Sequence, residues 1–162
     1  MTGGRAGRIR IGLALVVPVG LAAAGCGASS IPAPTSTLPA GTRVGPQQFL
    51  ADSAATAQAI RAFVDDLGAN GPSLTSAEAK ASAPLLTSAL HQTQFGFGRL
   101  SAEEVDDSRL DAQRQAVLAP LGKVVVQMSD ITEAAHTGNA ATVVAHLAPL
   151  RAAIAQVTQA GG

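Results

Sequence analysis

Apolar and small residues recur at alternating intervals of four and three along most of the chain from residue 46 onward. Residues spaced in this way share one face of an α-helix, and such a face is typical of a helix packed in a bundle. The chain has no Trp or Tyr and only four Phe, so side chains that favour strands are scarce. We therefore expect a helical domain. Its four apolar faces contain Phe49, Ser53, Thr56, Ile60, Phe63 and Leu67; Ala79, Ala83, Leu86, Leu90 and Phe97; Val117, Leu121, Val124, Met128, Ile131 and Ala135; and Val143, Leu147, Leu150, Ile154 and Val157.

The first and last helices have recognisable end signals. Pro46 suits a first helical turn and Gly68 or Gly71 suits the helix end, which predicts a helix over about residues 46–67. Gly138 and Asn139 combine a glycine helix end with an asparagine cap for the helix that follows. Because so short a link joins two long helices, we expect those helices to be antiparallel neighbours.

The second helix is predicted to begin at Thr75, which forms a capping box with Glu78. Pro84 predicts a kink or a restart within this helix, because proline lacks the backbone donor that a helix interior uses. A turn is predicted where two glycines follow, at Gly96 and Gly98.

The third helix is predicted from a second capping box, formed by Ser101 and Glu104. The apolar pattern then continues through Pro120 without a change of phase. A single kinked helix over about residues 102–136 is favoured over two helices split near this proline.

The first 25 residues differ in composition from the rest of the chain. Three arginines and no acidic residue precede an apolar run over residues 11–24, which is typical of an export signal. The run is shorter than the roughly 20 apolar residues of a membrane-spanning helix, and Pro18 would break a helix there. We therefore expect residues 1–25 to be a cleaved signal peptide.

The only cysteine of the chain, Cys26, follows Ala23, Ala24 and Gly25. This stretch resembles the lipobox of bacterial lipoproteins, although that family usually has leucine where Ala23 stands. The resemblance implies cleavage between Gly25 and Cys26, lipidation of the Cys26 sulfur, and anchoring at the extracytoplasmic face of the cell membrane. The alternative is that Cys26 is an ordinary buried cysteine in an apolar helix.

Residues 26–45 are rich in Ala, Ser, Thr, Pro and Gly, which predicts a linker after the lipidated cysteine. Residues 46–162 have the length of one domain. The expected fold class is all-α, an antiparallel four-helix bundle after a disordered N-terminal linker. Loss of the signal peptide would leave eight basic and eleven acidic side chains, an excess of negative charge that argues against nucleic acid as a partner.

Five acidic residues lie close together after the second apolar stretch and form the main charged cluster of the sequence. They lack the alternating ligands and the glycine of a calcium-binding loop, and a solvated helix start explains them simply. They are also the candidate interaction patch for a basic partner. The patch consists of Glu103, Glu104, Asp106, Asp107 and Asp111.

The remaining residues offer little chemistry. In the predicted helices His91 and His136 point outward and His146 lies on a flank, so they do not converge on a metal. Glu133 and His136 form one Glu-x-x-His unit without the second that a di-iron site needs. We find no nucleophile elbow, phosphate-binding loop or dinucleotide motif. The sequence therefore predicts a protein that is not an enzyme and has no metal or cofactor.

Two functions fit these observations. In the first, the bundle is displayed outside the membrane as a non-catalytic interaction module for another envelope protein. In the second, it carries an apolar ligand, a lipid or haem, in a cleft between helices. Small or polar residues would open that cleft beside three larger ones, with Ser53, Thr56, Ala79, Ala83 and Thr93 next to Leu86, Leu90 and Phe97. An alanine-rich bundle can pack compactly without a cavity, which favours the interaction module.

Overall fold

The computed structural model describes residues 38–68 and 73–161. The predictions for the signal peptide, for Gly25 and Cys26, and for the linker before Leu38 lie outside these residues. Two strands and four helices follow one another along the chain. They are β1 (Thr42–Val44), α1 (Pro46–Gly68), α2 (Ser76–Ala102), β2 (Glu103–Val105), α3 (Ser108–Thr137) and α4 (Ala140–Gly161).

The pairing of the two short strands shows in which direction the helices run. β1 and β2 pair in parallel, with Thr42 opposite Glu103 and Val44 opposite Val105. Because β1 leads into α1 and β2 leads into α3, these two helices begin at the same end of the molecule. α2 and α4 return in the opposite direction through their connections. The predicted antiparallel four-helix bundle is therefore confirmed, with a strand pair at one end that the sequence analysis did not anticipate.

Each helix packs mainly on its neighbour in the chain, α1 on α2, α2 on α3 and α3 on α4. The backbones of α1 and α4 do not pack closely against each other, so the bundle is open along that side. The core lies between the remaining faces, where Phe63, Leu86, Met128 and Ile131 are completely buried. Burying such side chains contributes roughly 1.5–3 kcal/mol each and holds the four helices together.

Three of the predicted helix ends are present. α1 begins at Pro46 and ends at Gly68. The Thr75 hydroxyl accepts a bond from the Glu78 amide, while the Glu78 carboxylate accepts from the Thr75 amide, which completes the capping box. These side chains satisfy backbone donors that have no partner within the helix.

The turn between α3 and α4 also follows the prediction. Gly138 has a φ of 73°, in the left-handed region that glycine adopts without steric cost, and its amide donates to carbonyls of the last turn of α3. The Asn139 side-chain oxygen then accepts a bond from the Thr142 amide at 3.1 Å. Gly138 thus ends α3, and Asn139 caps the start of α4.

The predicted start of the third helix is wrong. Ser101 does not cap a helix, because its hydroxyl donates to the Phe97 carbonyl within α2. Glu104 lies in β2, and α3 begins only at Ser108. Asp107 caps it instead, accepting bonds from two amides of the first turn. Pairing of β2 with β1 and burial of Val105 outweigh the local capping signal.

The turn predicted at Gly96 and Gly98 is also wrong, because α2 runs through both glycines to Ala102. The reason for Gly96 is tertiary. A Cβ atom at this position would lie 3.0 Å from the Thr56 Cβ atom and closer still to its hydroxyl oxygen. Glycine therefore allows α1 and α2 to approach each other. The three helices that contain an interior proline are continuous, at Pro84 in α2, Pro120 in α3 and Pro149 in α4, so α3 is not split.

Candidate functional site

The structure separates the five residues of the predicted interaction patch. Glu103 is 1% exposed and belongs to the interior, so the prediction that it lies in a solvated helix start is wrong. The Asp107 and Asp111 carboxylates are engaged by backbone amides or by Arg114. Glu104, Asp106 and Asp107 are exposed. The patch that a basic partner could reach is therefore reduced mainly to these three side chains, of which Asp107 also caps α3.

Glu103 forms an ionic cluster with Asp52 of α1 and Arg99 of α2, in which Glu103 is buried and the other two side chains are half-buried. The Arg99 Nη2 atom lies 2.9 Å from the Asp52 carboxylate, and its Nε atom lies 3.5 Å from the Glu103 carboxylate. Burial raises the pKa of Glu103, and a hydrogen bond with Asp52 and repulsion from its charge raise it further, while Arg99 opposes the shift. Among the described residues the Glu103 Oε2 atom has no hydrogen-bond partner. The pKa of Glu103 is thus higher than that of a solvent-exposed glutamate.

A second cluster joins α3 to the end of α2. Arg114 is buried, and its Nε atom donates to the Asp111 carboxylate at 2.8 Å while Nη1 donates to the Leu100 carbonyl at 2.9 Å. The Asp111 carboxylate also accepts from the Val105 amide. The bond from Arg114 is the main cause of the lowered pKa of Asp111, followed by the bond from Val105. This cluster holds the β2 segment in place.

The histidines lie apart from one another. His91 is exposed and lines a groove of about 370 Å³ between α1 and α2. The His136 Nε2 atom lies 3.0 Å from the Thr87 hydroxyl, and the His146 Nδ1 atom lies 2.9 Å from the Gln127 amide oxygen. Within residues 38–68 and 73–161, no three His, Cys, Asp or Glu side chains converge as they would around a metal ion.

An apolar groove of about 210 Å³ lies on the open side of the bundle, at the end where β1 enters α1. We call it the α1–α4 groove. No charged side chain is among the residues that line it, which are mostly aliphatic or aromatic. They include Phe49, Leu50 and Ile60 from α1, Val117 and Leu121 from α3, and Val157 from α4.

The groove differs in position from the cleft that the sequence predicts. Ser53 and Thr56 line it, as expected of small or polar residues. The other predicted lining residues are instead part of the packed core, since all are buried: Ala79, Ala83, Leu86, Leu90, Thr93 and Phe97. No histidine is among the residues described around the groove, so none is placed there to ligate haem.

α4 is the most apolar helix and is poorly covered. Its most apolar stretch of 18 residues has a mean hydropathy of 1.3, and only 17% of that stretch is buried. By length and composition alone this helix could also cross a membrane, a weak criterion that soluble core helices meet as well. Val143, Leu150 and Ala153 are buried. The opposite side, which we call the outer face of α4, exposes Ala141, Ala145, Ala148, Ala152 and Ala155.

Sequence reasoning missed the partners of the two ionic clusters. Arg99 and Glu103 are four residues apart on the chain, and Asp111 and Arg114 are three apart, so helical spacing could have suggested both pairs. The contribution of Asp52 has no such local signal, because it comes from another helix.

Together the fold and these surfaces describe a small helical bundle with one open side and an apolar helix, α4, whose outer face is exposed. No protein-family model matches the chain, and neither the curated proteins nor the solved structures provide a significant match.

Proposed function

We propose that this protein is a lipid-anchored cell-envelope protein whose bundle binds another envelope protein without catalysing a reaction. In this proposal Cys26 attaches the chain to the extracytoplasmic face of the membrane, and the outer face of α4 is the binding surface. The anchoring part is supported by the sequence of residues 1–26. The binding part is supported by the exposed outer face of α4.

The observation that carries the binding proposal is the exposure of α4. This helix contains one Arg and no Lys, Asp or Glu, only 17% of its most apolar stretch is fully buried, and its exposed apolar residues are alanines, because Leu147, Ile154 and Val157 are half-buried against the core. A helix that is apolar on nearly every side is normally covered, because water contact with apolar surface is unfavourable. A partner would remove that surface from water.

The five exposed alanines of the outer face suggest the kind of partner. They are spaced four, three, four and three residues apart, which is the spacing of one side of a helix–helix contact. Because alanine is small, the backbone of a second helix could approach closely. We therefore propose that the partner contributes an amphipathic helix whose apolar side packs along α4.

Site-specific photo-crosslinking in the native envelope tests this surface. A photoreactive amino acid would replace Ala145, Ala148 or Ala152 in turn, with exposed Ala119 of α3 as the matched control position. The expected result is a crosslink to the same protein from all three α4 positions and none from Ala119. Ala148→Glu should abolish the crosslink from Ala152 while the helical circular dichroism spectrum is unchanged.

Equal crosslinking from α4 and from Ala119, or adducts with lipid alone, would refute the binding surface. The anchor is tested separately by mass spectrometry of the membrane-bound protein, which should lack residues 1–25 and carry acyl chains on Cys26, whereas Cys26→Ala should block this processing. An intact N-terminus without acyl chains on the unaltered protein would refute lipid anchoring but would not affect the test of α4.

A further inference from the structure

We propose that the charge of Glu103 controls the pairing of β1 with β2, so that loss of the Glu103 proton detaches β1 while the four helices remain folded. The strand pair lies apart from the outer face of α4, and this inference depends on neither the anchor nor the protein partner proposed above. Three observations support it, namely the balance of charges around Glu103, the burial of its side chain, and the unequal attachment of the two strands.

The ionic cluster around Glu103 contains two carboxylates and one guanidinium group. The guanidinium of Arg99 has its Nη2 atom 2.9 Å from the Asp52 carboxylate and its Nε atom 3.5 Å from the Glu103 carboxylate. Asp52 also accepts a hydrogen bond from the Gln48 side chain at 2.8 Å. When both carboxylates are ionised, one negative charge is left uncompensated. Glu103 has the longer contact with Arg99, so its charge is the less well neutralised of the two.

The Glu103 carboxylate is also shielded from water. Its side chain is completely buried, and its Oε2 atom has no hydrogen-bond partner among the described residues. An ionised carboxylate in such a position is unfavourable unless it is fully paired. Burial and the neighbouring Asp52 raise the pKa of Glu103 accordingly, although Arg99 opposes the shift. Pairing of the strands is therefore more stable relative to detachment when Glu103 is protonated, and this advantage is lost as the pH rises through the raised pKa.

β1 is a short strand at the edge of this cluster. It has three residues, of which Thr42 lies directly opposite Glu103, and its Val44 carbonyl accepts a bond from the Asp106 amide at 3.1 Å. Detachment of β1 would remove the backbone opposite Glu103 and admit water to the carboxylate. It would also add three residues, about 10 Å of extended chain, to the segment that leads into α1.

β2 is attached to the helices independently of β1. The Val105 amide donates to the Asp111 carboxylate at 3.2 Å, and the Leu100 carbonyl just before β2 accepts from Arg114 at 2.9 Å. Asp111 and Arg114 are 2.8 Å apart and compensate each other's charge. We therefore expect β2 to stay on the helices when β1 leaves.

Other charged or titratable side chains surround the cluster and must be separated from Glu103 in a test. Asp111 and Arg114 form a compensated pair, and the rest, apart from Asp52 and Arg99, are exposed to water. His91 is the one among them whose ordinary titration range lies between pH 5 and 8, and it lines a groove together with Asp52 and Arg99. The full set is Asp52 of α1, His91 and Arg99 of α2, Arg43 of β1, Glu104 of β2, Asp106 after β2, and Asp111 and Arg114 of α3.

Hydrogen exchange of single backbone amides tests the proposal on the full-length protein, purified from its own envelope in detergent micelles. Mass spectrometry with electron-transfer fragmentation assigns exchange to individual amides, and protection factors are corrected for the intrinsic exchange rate from about pH 4.5 to pH 8. The Asp106 amide reports the pairing with β1, and the Val105 amide reports the attachment of β2. The amide of Ile131, a buried residue of α3, reports global unfolding.

We expect the protection factor of the Asp106 amide to fall several-fold as the pH rises, because detachment of β1 is linked to loss of one proton. The protection factors of the Val105 and Ile131 amides should stay constant over the same range. Helical circular dichroism at each pH would verify that the bundle remains folded.

Matched variants assign the titration to Glu103. Glu103→Gln, which has the same shape and no charge, should remove the pH dependence at the Asp106 amide. Glu104→Gln changes the exposed neighbour in β2 and should retain it, as should His91→Gln. Asp52→Asn should reduce the fall, because the ionised Glu103 would no longer compete for the guanidinium group.

Three results would overturn the proposal. A constant protection factor at the Asp106 amide would mean that β1 stays paired whatever the charge of Glu103. An unchanged fall in Glu103→Gln, or its loss in His91→Gln, would assign the titration to another group. Equal falls at Asp106 and at Val105 or Ile131 would mean that the opening is not confined to β1.

Discussion

Replacement of Gly96 by alanine tests the closest contact between α1 and α2. The added Cβ atom would lie 3.0 Å from the Thr56 Cβ atom and 3.2 Å from its Cγ2 atom, with the hydroxyl oxygen nearer still. Thr56 cannot move away easily, because it is 4% exposed and its hydroxyl donates to the Asp52 carbonyl at 2.8 Å. The two helices must therefore separate to accommodate Gly96→Ala.

Two opposing effects determine the magnitude. Overpacking a core typically costs about 1–3 kcal/mol, and contacts of 3.0 Å or less place this site in the upper part of that range. Alanine in a helix interior gains about 1 kcal/mol over glycine. We therefore expect Gly96→Ala to lower the free energy of unfolding by about 1–2 kcal/mol, the difference between these two effects.

Urea unfolding followed by circular dichroism measures this change, and a double-mutant cycle isolates the contact. Thr56→Gly removes the three atoms nearest to the new methyl group, all of which belong to the Thr56 side chain. In that background Gly96→Ala should be neutral or stabilising by up to about 1 kcal/mol. Gly68→Ala is the control, because no atom lies within 4 Å of the position of its Cβ. If Gly96→Ala destabilises the protein equally with and without Thr56, the steric explanation is refuted.

Two further predictions concern Glu103 and Gly138. The pKa of Glu103 is raised from an ordinary value of 4.5, so its contribution to stability is complete below that pH and is lost as the pH rises towards the folded-state pKa. Glu103→Gln should flatten this decline in urea unfolding measured from about pH 4 to pH 8, and an unchanged slope would contradict the assignment. Gly138→Ala should lower the free energy of unfolding by about 1–2 kcal/mol, because alanine is strained at a left-handed φ of 73°. Gly138→Asn should lower it less in thermal unfolding, since asparagine tolerates this conformation; equal losses would contradict the reasoning.

The sequence by itself determined the four helices and several of their ends. The spacing of apolar residues is a property of each helix alone, so it predicts α1 and the antiparallel pair α3 and α4 without knowledge of the rest. The capping box at Thr75 and the glycine at Gly138 are also local, because their hydrogen bonds join residues only a few positions apart. Signals of this kind can be read from a short stretch of sequence.

Only the tertiary structure decided the start of α3, the burial of Glu103 and the openings in the bundle. Ser101 and Glu104 match the capping pattern as well as Thr75 and Glu78 do, but β2 pairs with β1 far away along the chain and prevents a helix there. The α1–α4 groove and the exposure of α4 depend on which helices fail to pack together. Local spacing shows which face of a helix is apolar, and only the arrangement of the neighbouring helices determines whether that face is covered.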